Sequence, residues 1–105
     1  MNKEILLVAD AVSSEKGVDR EIIFEAIEVA LSTATKKRYD EESDIEVMID
    51  RETGDYETFR RWTVMPDDHL SILGTEFTTE EAAEKDPALQ IGDVYREQVE
   101  NIEFG

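Results

Sequence analysis

The sequence predicts an α+β fold in a single small domain, ordered helix, helix, strand, strand, helix, strand (ααββαβ). Three observations carry this. Apolar residues recur at the helical period from the N-terminus to about residue 39, a period-two alternation followed by a glycine turn begins at Ile45, and a capping-box spacing at Thr78 precedes one more short helix. At 105 residues one core is feasible without staples, and no second core is expected. The helical part should occupy residues 1–39 and the small αβ part residues 44–105.

Asn2 can cap a first helix running to about Lys16, with Ile5, Val8, Ala9 and Val12 on one face and Leu6, Leu7 and Ala11 widening it. Gly17 suits a left-handed C′ position, so a second helix follows almost at once and the two form a packed αα-hairpin. That second helix begins at Asp19, whose carboxylate can accept from orphan N–H groups. Ile22, Ile23, Ala26, Ile27, Ala30, Leu31 and Ala34 fall in one apolar stripe, while Glu21, Glu25 and Glu28 fall on another side. Phe24 and Val29 lie outside the stripe, so more than one neighbour is needed to cover this helix. The surplus apolar surface either covers the rest of the domain, the simpler reading, or forms a groove for a partner. Lys36, Lys37 and Arg38 complement the partial negative charge of the helix C-terminus.

The acidic run at 40–44 breaks the helix, and Ile45, Val47 and Ile49 then alternate with Glu46, Met48 and Asp50 as a half-buried strand. Gly54 turns the chain into a returning strand rich in aromatic and β-branched residues. Its parity is mixed: Tyr56, Thr58, Arg60, Trp62 and Val64 share one face and Phe59 and Met65 the other, which requires a bulge or two apolar faces. Pro66, Asp67 and Asp68 stop the strand, and a loop of about ten residues reaches Thr78. Thr78 and Glu81 form the capping box of a helix through Lys85, with Phe77 placed to staple against Ala82. Gly92 and Asp93 then turn the chain into a third strand at a sheet edge. Ending on Phe104 and Gly105 with neither cap nor tail suggests a fragment of something longer.

The formal net charge is −16, from 27 acidic and 11 basic residues. Such a surface repels phosphate backbones at long range, which argues against nucleic acid as sole partner unless basic residues are concentrated locally. They are concentrated: Lys36, Lys37, Arg38, Arg60 and Arg61 form two short clusters. The absence of cysteine excludes disulfides and thiolate metal sites, and a single histidine disfavours an imidazole centre. The N-terminal apolar run is too short for a signal h-region or a membrane span, so a soluble cytoplasmic protein is expected.

No sequence pattern supports an enzyme, a cofactor or a metal. Asp50, Glu52, Asp55 and Glu57 lack the EF-hand spacing, and His69 reads as an exposed loop residue. Two binding surfaces remain. Lys36, Lys37 and Arg38, followed by Tyr39, could contact phosphates or merely complement the helix dipole, and on physics alone the second reading leads. Arg60 and Arg61, between Phe59 and Trp62, could clamp a nucleotide or a carboxylate; ordinary strand alternation with cross-sheet ion pairs is the stronger reading. If the two clusters adjoined, five charges would make one patch.

The stretches MNKEILLVADAVSSEKG, REIIFEAIEVALSTATKKRY and IDRETGDYETFRRW, with IGDxxxxxVENIEF near the end, resemble the start of the NusA family of bacterial transcription termination and antitermination factors. The resemblance implies the RNA polymerase-binding N-terminal domain, residues 1–105, without the family's S1 and KH modules. It implies no catalysis, but docking at the β-subunit flap tip near the RNA exit channel and weak contact with nascent hairpin RNA that modulates pausing and termination. Lys36, Lys37 and Arg38 match the family's basic motif and so rise above the dipole reading as RNA contacts, with Arg60 and Arg61 beside them. For polymerase docking the surplus apolar faces nominate Leu7, Val8, Ile27 and Leu31. A monomer with no membrane contact is expected. The linker helix is missing, which should leave an apolar edge exposed near Ile102 and Phe104. The competing reading is an acidic α+β adaptor for a basic or helical protein partner with no nucleic-acid role; an RNA mimic is a weaker third.

Overall fold

A computed structural model describes residues 2–70 and 72–105; Met1, at the start of the expected domain, and Ser71, in the expected loop, lie outside the described residues. The elements are α1 (Lys3–Lys16), α2 (Arg20–Lys36), β1 (Asp44–Ile49), β2 (Tyr56–Val64), β3 (Glu76–Phe77), α3 (Thr79–Lys85) and β4 (Val94–Val99). The α+β order stands with one addition, the two-residue β3, which lies in the stretch read as loop. Two residues are too few to show a period, and only tertiary hydrogen bonds define them: Thr63 N–H donates to Thr75 O at 3.0 Å and Met65 N–H to Phe77 O at 2.9 Å.

The helix ends follow local chemistry. Asn2 Oδ1 accepts from Ile5 N–H at 3.3 Å and Asp19 Oδ1 from Glu21 N–H at 2.9 Å. Gly17 ends α1 at φ 65°, and Thr78 and Glu81 make the full reciprocal capping box. In the sheet β2 is the hub, antiparallel to β1 and β4 and parallel to β3. Thr63 pairs with both Glu76 and Val94, so β3 and β4 flank opposite edges of β2.

Both antiparallel ladders keep one register throughout, so the mixed parity of β2 reflects two occupied faces and no bulge. Ile45, Val47, Ile49 and Thr58 point inward and are buried. On the outer face Arg61 reaches Asp44 at 2.9 Å and Glu46 at 3.4 Å, Arg96 reaches Glu46 at 2.6 Å, and the Arg96 guanidinium lies 4.3 Å from the Phe59 ring centroid.

The expectation of one core is corrected. Ile5, Ala9, Phe24, Ile27, Leu31 and the inward residues of β1 form one cluster; Val64, Phe77 and Ala82, with Trp62, Leu89 and Tyr95 against them, form a second. The molecule measures 51 × 23 × 22 Å, whereas the 17 residues of α2 give a rod of about 25 Å, which reaches along about half of the long axis. The distal end is covered by β3 and α3 instead.

The stripe assigned to α2 is also corrected. Phe24, Ile27, Leu31 and Thr35 are the buried line, while Ile22 is 56% exposed and Ala26 and Ala30 face outward. The reason lies in Arg51. Its guanidinium stacks 4.9 Å from the Phe24 centroid, donates to Glu21 Oε1 at 2.6 Å and Oε2 at 2.9 Å, and reaches Glu28 Oε2 at 2.8 Å. Glu28 Oε2 also accepts from Ile49 N–H at 2.9 Å, so this side of α2 is fastened to the end of β1. Phe24 is thereby turned under the hairpin.

At the hairpin tip Gly54 has φ 78°, and a Cβ there would lie 2.1 Å from Asn2 O. Gly54→Ala therefore meets both a left-handed backbone and the start of α1, and should lose about 2 kcal/mol or more in urea unfolding. A midpoint within error of wild type would contradict this close approach. The hydrogen bond from Arg51, partly offset by desolvation, holds the Glu21 carboxyl below its ordinary pKa. Unfolded Glu21 titrates near ~4.3, so its contact stabilises above that pH and is lost as pH falls through the lower folded value. Wild type should exceed Glu21→Gln in stability at pH 7, and urea titrations should show the gap closing below about pH 4.

Candidate nucleic-acid interface

Helical hydrogen bonds carry the end of α2 through the basic cluster: Lys37 N–H donates to Ala34 O at 3.3 Å, Arg38 N–H to Thr35 O at 2.9 Å and Tyr39 N–H to Lys36 O at 3.1 Å. Buried Thr35 anchors this turn by donating its hydroxyl to Leu31 O at 2.7 Å. The charges are consequently projected from a fixed base. Among the described residues Lys36, Lys37 and Arg38 form no ion pair, and neither do Lys3, Lys16 and Arg60, whereas Arg20, Arg51, Arg61, Lys85 and Arg96 all do; what sets residues 36–38 apart is that three such cations are consecutive. The neighbouring Asp40 carboxylate accepts from Glu42 N–H at 3.0 Å, and Asp44 is held by Arg61.

Arg60 and Arg61 do not act together, because consecutive strand residues point to opposite faces. Arg61 is taken up by Asp44 and Glu46 on the outer face, and both contacts help raise its already high pKa. Arg60 points inward at the junction of the two apolar clusters. Its guanidinium carbon lies 4.8 Å from the Tyr39 centroid and 4.7 Å from the Trp62 centroid, and Trp62 stacks on Phe77 at 5.2 Å with planes 5° apart. Arg60 Nη2 reaches Ser43 Oγ at 3.4 Å, and among the described residues its Nε, like that of Arg61, is buried without a hydrogen-bond partner. The two sequence clusters therefore meet through Tyr39 and Arg60, and Arg61 stands apart.

The apolar nominees divide as well. Leu7 is 68% exposed and Val8 half-buried, but Ile27 and Leu31 are core residues at 9% and 6% exposure. The apolar stripe of the sequence mixed the residues that face the sheet with those that flank it. Ile27 and Leu31 line an apolar groove of about 520 Å³, whose walls include Ile23, Ala30, Ile102 and Phe104. Ile102 and Phe104 pack against the first core, so the edge expected to be exposed is half-buried. The segment is held by the Tyr56 hydroxyl, which donates to Ile102 O, and by Thr58 Oγ1 and Asn101 Oδ1, 2.8 Å apart. Desolvation raises the Tyr56 pKa.

Away from these clusters, Asp50 serves the backbone and His69 meets a carboxylate. Asp50 accepts from the N–H groups of Glu52 and Thr53 at 2.8 and 3.1 Å, which lower its pKa. His69 is exposed and lies 2.9 Å from Glu76 Oε1. Among the described residues no helix is long and apolar enough to cross a membrane. Neither Arg51 nor Phe24 was nominated from the sequence as organising the fold; Phe24, set apart from the apolar stripe, was the available signal.

Residues 4–105 match the NusA N-terminal domain family. The chain is 36% identical over 104 residues to the transcription termination/antitermination protein NusA of Rickettsia conorii, covering 97% of this chain and 20% of that protein. It is 35% identical over 105 residues to the NusA of Bacillus subtilis, covering 100% of this chain and 28% of that one. The chain thus spans between a fifth and a third of the length of these curated relatives. The solution structure of the B. subtilis NusA N-terminal domain superposes with a TM-score of 0.70 at 35% identity, covering all of this chain and 83% of that one.

Arg60 and the only tryptophan of the chain give the interface a direct probe. Arg60→Ala removes the stem and cation lying on Trp62, and should cost about 1–2 kcal/mol in urea unfolding while shifting tryptophan emission to longer wavelength. Unchanged emission would mean that the ring does not lie against Arg60.

Proposed function

The chain belongs to the NusA N-terminal domain family, and from that membership we propose that it docks on RNA polymerase at the β-subunit flap tip, beside the RNA exit channel, and presents Lys36, Lys37 and Arg38 to emerging hairpin RNA. The observation that carries this reading is a run of three consecutive cations that form no ion pair among the described residues, in a chain with a net charge of −16. Carboxylates are abundant, yet among the described residues none forms an ion pair with these three side chains. Phosphate contact is the chemistry that such an exposed, rigidly based cluster performs best. Arg60 contributes by supporting Tyr39, and Arg61 leaves the set of RNA contacts because its charge is already used.

Docking calls on apolar surface. Leu7 and Val8 are its accessible part on α1, and Ile27 and Leu31 contribute from the floor of the groove. The domain then acts by position: bound at the exit channel, it adds phosphate contacts to a hairpin and favours pausing or termination, and it allows antitermination when other factors join. It acts in the bacterial cytoplasm, as a monomer and without catalysis or cofactor.

Binding through three phosphates should give a plot of log affinity against log salt with a slope between about −2 and −2.7. An NMR titration with the isolated flap domain should move resonances in α1 and α2, and hairpin RNA should move those around residues 36–38. Lys36→Glu, Lys37→Glu and Arg38→Glu combined should abolish the RNA shifts and the pausing effect while flap binding persists. Loss of both together, or of neither, would favour the acidic adaptor; no shifts with flap would remove the docking claim.

A further inference from the structure

The geometry points to Tyr39 as a stacking platform for an unpaired nucleobase, so that the RNA ligand is recognised by its single-stranded nucleotides as well as by its phosphates. This inference rests on the RNA-contact reading above and names the part of the RNA that the site takes.

Tyr39 is 42% exposed at a position where its ring contributes to neither apolar cluster. Its hydroxyl has no hydrogen-bond partner among the described residues, in contrast to Tyr56, whose hydroxyl is bonded to Ile102 O. What holds the ring is Arg60, whose guanidinium lies 4.8 Å from its centroid. Behind Arg60 come Trp62 at 4.7 Å and Phe77 at a further 5.2 Å between ring centroids, the latter buried in the second core. Tyr39 is thus the outer member of a series of planar groups rooted in the interior, with Arg60 against its ring and 42% of its surface open to solvent.

Two features suit this arrangement to a nucleobase. Stacking costs least when the platform is already ordered, and the series supplies that order without using the outer surface. Among the described residues no carboxylate pairs with the guanidinium, so its charge draws ring electron density inward and leaves the outer surface better matched to an electron-rich base. Lys36, Lys37 and Arg38 immediately precede the ring in sequence. A strand tracking those cations would bring its bases within reach of Tyr39, the combination of cationic track and aromatic platform that binds single-stranded nucleic acid. A continuous duplex offers no free base face.

The test uses a hairpin RNA with 2-aminopurine in an unpaired loop, and the same hairpin with abasic loop positions, titrated into the 105-residue chain. Wild type should quench the 2-aminopurine and bind the intact loop roughly tenfold more tightly than the abasic one. Tyr39→Leu should lose both effects and keep the salt slope, and Tyr39→Phe should restore both; unchanged Trp62 emission in each variant would show the series intact beneath. Equal wild-type affinity for intact and abasic loops, or an undiminished preference in Tyr39→Leu, would overturn the platform and leave the phosphate reading standing. No wild-type binding to either RNA would overturn both.

Discussion

Arg51 fixes the rotation of α2 against the sheet, and the position of every other part of the interface follows from that. Its guanidinium spans two carboxylates of the helix, Glu21 and Glu28, and also donates to Ile49 O at 2.9 Å within its own hairpin. A planar five-donor group can satisfy both elements at once; a lysine ammonium could not reproduce the fork. Phe24 beneath it supplies an aromatic face, approached also by Arg20 at 5.1 Å, so the polar clamp and the first core share a boundary. Once Phe24 is turned inward, Ile27, Leu31 and Thr35 follow at helical spacing. The end of α2 then meets the sheet at Ser43 and Arg60.

That meeting point is a gap. The first core ends with Leu31 and the second begins at Trp62, and residue 60 of β2 lies between them on the inner face. An aliphatic side chain would join the clusters but leave no charge at the surface. Arginine fills the space with its stem and brings its guanidinium within 4.8 Å of the Tyr39 centroid and 4.7 Å of the Trp62 centroid, and a guanidinium is weakly enough hydrated to lie against two rings. The unsatisfied Nε is the cost of that position. Its consequence is that the ring of Tyr39, three residues beyond the last helical residue, rests on the sheet, while the last helical hydrogen bond, to Lys36 O, holds its backbone.

What was legible in the sequence was what short-range chemistry decides. Asn2, Asp19 and Thr78 cap as their side chains allow, Gly17 and Gly54 take positive φ where turns require it, and β1 alternates because one face is wet. The rotation of α2 was not legible, since Ile22, Ile23, Ala26 and Ala30 make a more continuous apolar stripe than the line that is buried. The deciding partner, Arg51, lies 23 residues from Glu28 in a segment whose local pattern says only turn. Strand β3 and the second core were hidden for the same reason: they exist through contacts to β2 and have no period of their own. The opposed directions of Arg60 and Arg61 were readable from strand alternation, and the attraction of a four-residue basic and aromatic motif obscured them. At the candidate site, the basic cluster was visible as composition, but its freedom from ion pairs was a property of the fold alone.

The acidity of the rest of the chain bears on how such a cluster can operate. At physiological salt fields decay over about 8 Å, so an RNA more than a few such lengths away meets little of the local positive charge, and at low salt meets a repulsive whole. Three cations give modest affinity by themselves. Contact therefore becomes effective when another interaction holds the RNA close, because tethering replaces bulk concentration with a much higher effective one. An acidic domain with a small unpaired basic end is suited to that circumstance: it discriminates against free nucleic acid and responds to RNA delivered at short range. On the proposed docking at the exit channel, polymerase provides that delivery, and the weakness of the isolated contact is what makes the response conditional on a hairpin emerging there.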